Sequence, residues 1–357
     1  MKRTLVSVIA VYLMLAMFAV KVQSSEPQLR FIYEQWWYER DLLAGQGKSM
    51  EHYLKISERV LEKGQWANDP QLFRRYVSDF GSYHNYFGEY DKALKYYDMV
   101  SKLTLKMDDQ WSHGIVLANE ATVYHAQGDY DKAMKLYSQA LETSKEFGDL
   151  KVEGIISGNI AALYHSQGHY SAAAALYEKA LDISKKVPGN PQQNTDIYGQ
   201  GMNLGNLAIL YADWGQYSTA LQYYTKALHI KIRTGDISGQ GTTLADMAKV
   251  YQDWGQNAKA REYYDKALQK KVESGDKRGQ GYVLISLGAL CAATGNGEEA
   301  MTFFQKAIEV CKAVSVPTQS AENMIANLYL DNGELQKAQA LVKKSSDLLV
   351  KARIDVA

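Results

Sequence analysis

Cysteine is nearly absent from this sequence: Cys291 and Cys311 are the only two in 357 residues. Two thiols make neither a disulfide scaffold nor a four-thiolate zinc site. Proline is scarce as well, with five residues where an ordinary chain carries about 5%, and this points to long uninterrupted helices. An excess of one charge is also lacking, since 40 basic residues balance 40 acidic ones. That balance argues against a nucleic-acid binder, which should show a basic stripe. With 46% hydrophobic and 22% charged residues, wholesale disorder is excluded too. What is left is a soluble, helix-rich protein for which no cofactor is expected.

The chain opens with Met1-Lys2-Arg3, runs from Thr4 to Val20 without a charge and continues as Lys21-Val22-Gln23-Ser24-Ser25. A basic start, an apolar stretch and small residues after it form a secretory signal peptide over residues 1–24, with the cut near Ser24. The alternative is an uncleaved N-terminal membrane anchor, because 17 uncharged positions reach the lower limit of about 17–25 for a spanning helix. Either way the rest is expected across the membrane, periplasmic or secreted, or anchored with its body outside the cytoplasm. No cysteine stands near the cut, so lipid attachment to one is excluded there.

Self-comparison gives the strongest signal. Gly88, Gly128, Gly168, Gly215, Gly255, Gly295 and Gly333 are spaced 40, 40, 47, 40, 40 and 38 residues apart. Five residues after each stands an alanine: Ala93, Ala133, Ala173, Ala220, Ala260, Ala300 and Ala338. Four further on come Tyr97, Tyr137, Tyr177, Tyr224, Tyr264, Phe304 and Val342. Four residues before the glycine stand His84, Tyr124, Tyr164, Tyr211, Tyr251, Cys291 and Tyr329.

One unit shows the physics. Leu204, Leu207, Ala208 and Tyr211 fall at i, i+3, i+4 and i+7, the apolar stripe of a helix. Gly215 breaks it, and Ala220, Tyr224 and Ala227 make a second stripe. Small Ala208 and Ala220 let two backbones approach, while Tyr211 and Tyr224 fill volume between units. Gly235 suits a left-handed C′ position with Asp236 as the next N-cap; Gly148-Asp149 and Gly275-Asp276 repeat the signal. All five prolines fall at boundaries: Pro27 after the leader, Pro70 opening the first clear unit, Pro188 and Pro191 in the long interval, and Pro317 before the last unit.

This pattern resembles the tetratricopeptide repeat family over roughly residues 70 to 350, through Leu204, Ala208, Tyr211, Gly215, Ala220, Tyr224 and Ala227. It departs in a period of 40 rather than 34 and in Ile232 and Val272 where the family has proline. The stretch Asn203–Tyr211 is similar to the longer repeats of kinesin light chains and of G-protein-signalling modulators. The resemblance implies an all-α, right-handed superhelical solenoid of antiparallel helix pairs that binds proteins or peptides. Seven repeats are expected at about 74–113, 114–153, 154–200, 201–240, 241–280, 281–318 and 319–352. A degenerate capping pair is expected over 25–69, and a tail over 353–357.

If Leu204, Leu207, Ala208 and Tyr211 face the core, then Met202, Gly205, Asn206, Ile209 and Ala212 lie toward the open side. The Asn206 row reads Asp79, Asn119, Asn159, Asn206, Asp246, Ser286 and Met324. In the family, asparagine at this position reads the backbone of an extended peptide, and a primary amide offers both a donor and an acceptor to a peptide unit. The peptide-binding groove is therefore assigned to Asn119, Asn159, Asn206, Asp246, His125, His165 and Lys249. Two readings of the amides stay open: peptide binding, and hydrogen bonds to neighbouring helices. Asp213, Asp246 and Asp253 would make the middle of the groove acidic, against which stands Lys249.

Catalytic and metal chemistry are not expected. His125 and His165 occupy equivalent positions on helices about 10 Å apart, too far to share one zinc at about 2 Å. Cys291 and Cys311 lie about 18 Å apart in height along an antiparallel pair, beyond the roughly 7 Å a disulfide spans, so both are expected as reduced core thiols. The Gly-Gln-Gly triplets at 199–201, 239–241 and 279–281 lack the strand and the Lys-Ser/Thr of a phosphate loop and suit close helix crossing instead. The expected role is an exported, non-enzymatic adaptor holding an extended segment of a partner protein. The alternative is a structural subunit of an envelope assembly using its outer face or ends, where self-association would also occur.

Overall fold

The computed structural model describes residues 70–187, 195–314 and 317–342. The leader over 1–24, the capping pair over 25–69, Pro188 and Pro191, and the tail lie outside the described residues. The chain forms two compact units, one ending at Asp109 and one starting at Gln110.

The described part of the first unit is a helix pair, α1 (Pro70–Tyr86) and α2 (Tyr90–Lys106). Gly81 makes the pair possible, since a Cβ there would stand 2.5 Å from the Tyr97 ring. Tyr97 is buried with Val77, Phe80 and Val100, and its hydroxyl meets Ser82 Oγ at 2.9 Å.

Among the described residues, the second unit is a stack of six helix pairs. These are α3 (Gln110–Gln127) with α4 (Tyr130–Glu146), α5 (Leu150–Ser166) with α6 (Tyr170–Lys186), and α7 (Thr195–Asp213) with α8 (Tyr217–Arg233). They continue as α9 (Ile237–Asp253) with α10 (Asn257–Glu273), α11 (Lys277–Ala293) with α12 (Gly297–Lys312), and α13 (Gln319–Asp331) with α14 (Leu335–Val342). Among the described residues there is no strand.

The joints follow from local chemistry. Gly235 has φ +68°, a left-handed conformation that a side chain disfavours. Its turn lets the Asp236 amide donate back to the Lys231 carbonyl at 2.9 Å, satisfying an orphan acceptor of α8. The Asp236 carboxylate then accepts from the Gly239 amide at 2.8 Å and opens α9. Asp276 does the same for α11 through Gly279, and Asp149 for α5 through Val152. Helices α5, α9 and α11 begin right after these caps, four residues ahead of the units counted from 154, 241 and 281, because the apolar stripe starts later than the backbone turn.

A row of glycines sets how closely each pair crosses. Added Cβ atoms at Gly114, Gly154, Gly201 and Gly281 would stand 2.8, 3.2, 3.2 and 2.5 Å from side chains of Thr143, Ile183, Ile230 and Cys311. At Gly241 the neighbours are the Lys271 stem at 3.1 Å and the Ala267 carbonyl oxygen at 3.2 Å. The last glycine of each triplet thus serves close helix crossing. The middle residue acts differently. Gln240 and Gln280 donate their amides to the Lys231 and Lys271 carbonyls at 3.3 and 3.0 Å, capping the preceding second helix.

Core residues recur in the same places. Ala208, Ala220, Leu207 and Leu210 are fully buried, and truncating such a leucine to alanine removes about 2–5 kcal/mol. Successive pairs also meet through their first helices: α3 beside α5, α5 beside α7, α9 beside α11, and α11 beside α13. The second helices of neighbouring pairs make no comparable contact among the described residues. The first helices therefore form the inner surface of this unit and the second helices its outer one.

Candidate binding surface

The inner surface carries two rows of side chains, one turn apart on each first helix. One row reads Asn119, Asn159, Asn206, Asp246 and Ser286 along α3, α5, α7, α9 and α11, and every member is half-buried. The other, four residues earlier, reads Ile115, Ile155, Met202, Thr242 and Tyr282. Ile155, Met202 and Tyr282 are 55%, 68% and 57% exposed, and Ile209 is exposed one turn further along α7. Polar and apolar groups thus alternate on a face that helix packing leaves uncovered.

Among the described residues, no hydrogen bond joins the side chain of Asn119, Asn159 or Asn206 to another protein group. Half-buried amides normally find partners, so these three leave donors and acceptors that no protein group answers.

The two histidines assigned to the groove link neighbouring repeats. His165 Nε2 donates to Asp213 Oδ2 at 3.0 Å, from the last turn of α5 to the last turn of α7. His125 Nε2 lies 2.9 Å from Ser166 Oγ. That hydroxyl gives its proton to the Ala162 carbonyl, so it is the acceptor from His125. Burial lowers the His125 pKa. Ala212 ends this ladder because it has no polar atom to continue it. Lys249 is paired with Asp253 on its own helix, which ties up the cation that would offset the acidic middle of the groove.

Asp246 differs from all of these. Burial pushes its pKa up to about 6, and Lys271 opposes that only partly. The Lys271 ammonium is itself buried and donates to Asp276 at 2.8 Å, Thr242 at 2.7 Å and Ser238 at 3.1 Å. No hydrogen bond or ion pair reaches the Asp246 carboxylate among the described residues. Burial also raises the phenols of Tyr224 and Tyr264, the latter to about 12. Asp246 acts on both rings, with Asp213 on the first and Asp253 on the second. These side chains come from α7, α8, α9 and α10, a convergence that row-by-row reading of the sequence does not display.

The cysteines lie apart in function and place. Cys291 is buried in the last turn of α11, where Arg261 Nη1 is 3.4 Å from its sulfur; burial pushes its thiol up to about 11. Cys311 is buried on α12 against Gly281. Among the described residues, no group of three His, Cys, Asp or Glu side chains is placed to hold a metal ion.

A tetratricopeptide repeat model matches residues 112–186 and 238–313, and a second tetratricopeptide repeat model matches residues 204–238. Together they cover just over half of the chain. The chain belongs to the tetratricopeptide repeat family. With that membership comes an interaction scaffold built as a helical solenoid. No curated protein sequence matches the chain.

Several solved structures share the fold. One is the signal-transduction ATPase with numerous domains from Pyrococcus horikoshii, which has a tetratricopeptide repeat sensor. It is 18% identical, with a TM-score of 0.61 over 95% of this chain and 50% of that one. Aspartyl phosphate phosphatase F from Bacillus subtilis is 18% identical, with a TM-score of 0.56 over 95% of this chain and 86% of that one. A Rap protein complexed with competence and sporulation factor is 14% identical, with a TM-score of 0.56 over 85% and 81%. At these identities the likeness is one of fold.

Proposed function

We propose that this tetratricopeptide repeat protein is an exported, non-enzymatic adaptor that holds an extended segment of a partner protein along the inner surface of α3–α11. The observation that carries this reading is the row Asn119, Asn159 and Asn206, one amide per repeat without an internal partner. First helices about 10 Å apart and a peptide advancing about 3.3 Å per residue bring every third peptide unit within reach of an amide. Each such bond contributes about 0.5–1.5 kcal/mol, enough to set register, while Ile155, Met202, Ile209 and Tyr282 supply apolar contact. The Lys2-Arg3 start and the apolar run to Val20 support export.

The test compares residues 25–357 with the Asn119→Ala/Asn159→Ala/Asn206→Ala variant, both shown equally helical by circular dichroism. Each is used to capture partners from extracytoplasmic and membrane fractions, followed by mass spectrometry. A partner held by the parent and lost by the variant is the expected result. A partner kept by both would place binding elsewhere and favour the structural-subunit reading, which rests on exposed Phe147, Ile232 and Val272 at the ends of second helices.

A further inference from the structure

The middle of the inner surface carries a charge that the fold does not answer. Where α3, α5 and α7 present asparagine, α9 presents Asp246, a half-buried carboxylate with no protein partner among the described residues. Two cations could have neutralised it, and neither does. Lys249 is paired with Asp253, and Lys271 is fixed by Asp276, Thr242 and Ser238. The neighbours add to the deficit. Asp213 is joined to His165 yet still acts on the Tyr224 phenol alongside Asp246, and Asp253 acts with Asp246 on Tyr264. Apolar side chains flank the spot on both sides, with Met202 and Ile209 on α7 and Tyr282 on α11.

An unpaired carboxylate among partly desolvated phenols destabilises the fold at neutral pH. A ligand that brings the counter-charge removes that penalty, and the penalty then becomes a source of selectivity. Resting on the adaptor reading above, we propose that the inner surface selects an extended segment carrying one lysine or arginine, which pairs with Asp246. Apolar residues about three positions to either side rest against Met202 and Ile209 and against Tyr282, a spacing set by the distance between first helices. A neutral or acidic residue at the central position leaves the carboxylate buried and unanswered, so such segments are rejected.

The probe is a positional-scanning library of fluorescent peptides of about 12 residues, long enough to span α3–α11, read by polarisation against residues 25–357. The expected result is a peak for fixed lysine or arginine at one position, with apolar preferences about three residues away and weak binding of glutamate at the centre. In Asp246→Asn the preference for lysine over norleucine should fall roughly ten- to a hundredfold, and Asp246→Lys should transfer the preference to glutamate. The Asn119→Ala/Asn159→Ala/Asn206→Ala variant should weaken all peptides alike. If that variant weakens binding but Asp246→Asn leaves the lysine preference unchanged, the charge selection is wrong and the groove stands. If the triple variant has no effect, or no peptide binds, both are wrong.

Discussion

His165 on α5 donates from Nε2 to Asp213 Oδ2 on α7 at 3.0 Å, across the 47-residue interval of the repeat pattern. The last turns of these first helices thus stay in register across the interval, and α7, with 19 residues against the 17 of α5, takes up two of its seven extra residues at its start. Asp213 is 56% exposed, so the coupling should stay below about 1 kcal/mol. A double-mutant cycle with His165→Ala and Asp213→Ala, read by urea unfolding, measures it directly.

Asp246 should make stability fall as pH rises. Its folded pKa of about 6 lies above the value of about 3.9 in the unfolded chain, so between these values the folded state binds more proton. The favourable contribution is complete below pH ~4 and lost by pH ~6. Asp246→Asn should therefore raise stability at pH 7.5 by about 1–3 kcal/mol, with a smaller gain at pH 5. The Asp276 side chain has the opposite sign. Burial opposes its ionisation, but hydrogen bonds from Lys271 and the Gly279 amide outweigh burial and hold its pKa below the usual range. Its contribution is lost only as pH drops below about 4. Urea midpoints of parent and Asp246→Asn across about pH 3 to 7.5 separate the two, since only the loss below about pH 4 persists in the variant.

Gly281 should be intolerant of alanine for a removable reason. The added Cβ meets Cys311 Sγ at 2.5 Å, so Gly281→Ala should lose about 1–3 kcal/mol. In a Cys311→Ala background the obstruction is gone, and the higher helix propensity of alanine, up to about 1 kcal/mol, should offset part of the remaining loss. The non-additivity, measured as a coupling in thermal melts, identifies the contact; simple additivity would rule it out.

Asp108 should be the easiest stabilising site. It has φ +54° at the end of α2, where the corresponding joints use Gly148, Gly235 and Gly275. Asp108→Gly should raise stability by about 0.5–1 kcal/mol, seen as a higher melting midpoint, whereas Gly235→Asp should lower it.

The fold was legible because repetition amplifies weak signals. A glycine five residues before an alanine means little once; recurring seven times, it marks turn, crossing and core together. Gly235-Asp236 could be read as stop and start because both residues act on their own backbone. The inner rows were legible at the level of facing, since Met202, Asn206 and Ile209 follow one helix period. What the sequence withheld was pairing between side chains on different helices. Lys249 reads equally well as a partner for Asp246 or Asp253, and only the i,i+4 geometry within α9 assigns it to Asp253. Lys271 looks like a surface residue until Gly241 and Gly279 leave room for its stem and Ser238, Thr242 and Asp276 receive its ammonium. The links of His125 and His165 to Ser166 and Asp213 depend on the offset between adjacent first helices, which no single repeat encodes.

The absence, among the described residues, of comparable contacts between neighbouring second helices has a mechanical meaning. Each joint in the second unit is held mainly by the second helix of one pair packed on the first helix of the next, while the two helices within a pair hold each other more extensively, so a pair can part from its neighbour as a unit. Pulled from its C-terminus, the stack should yield one pair at a time, with a saw-tooth force trace whose period is the contour length of about 40 residues, roughly 130–145 Å.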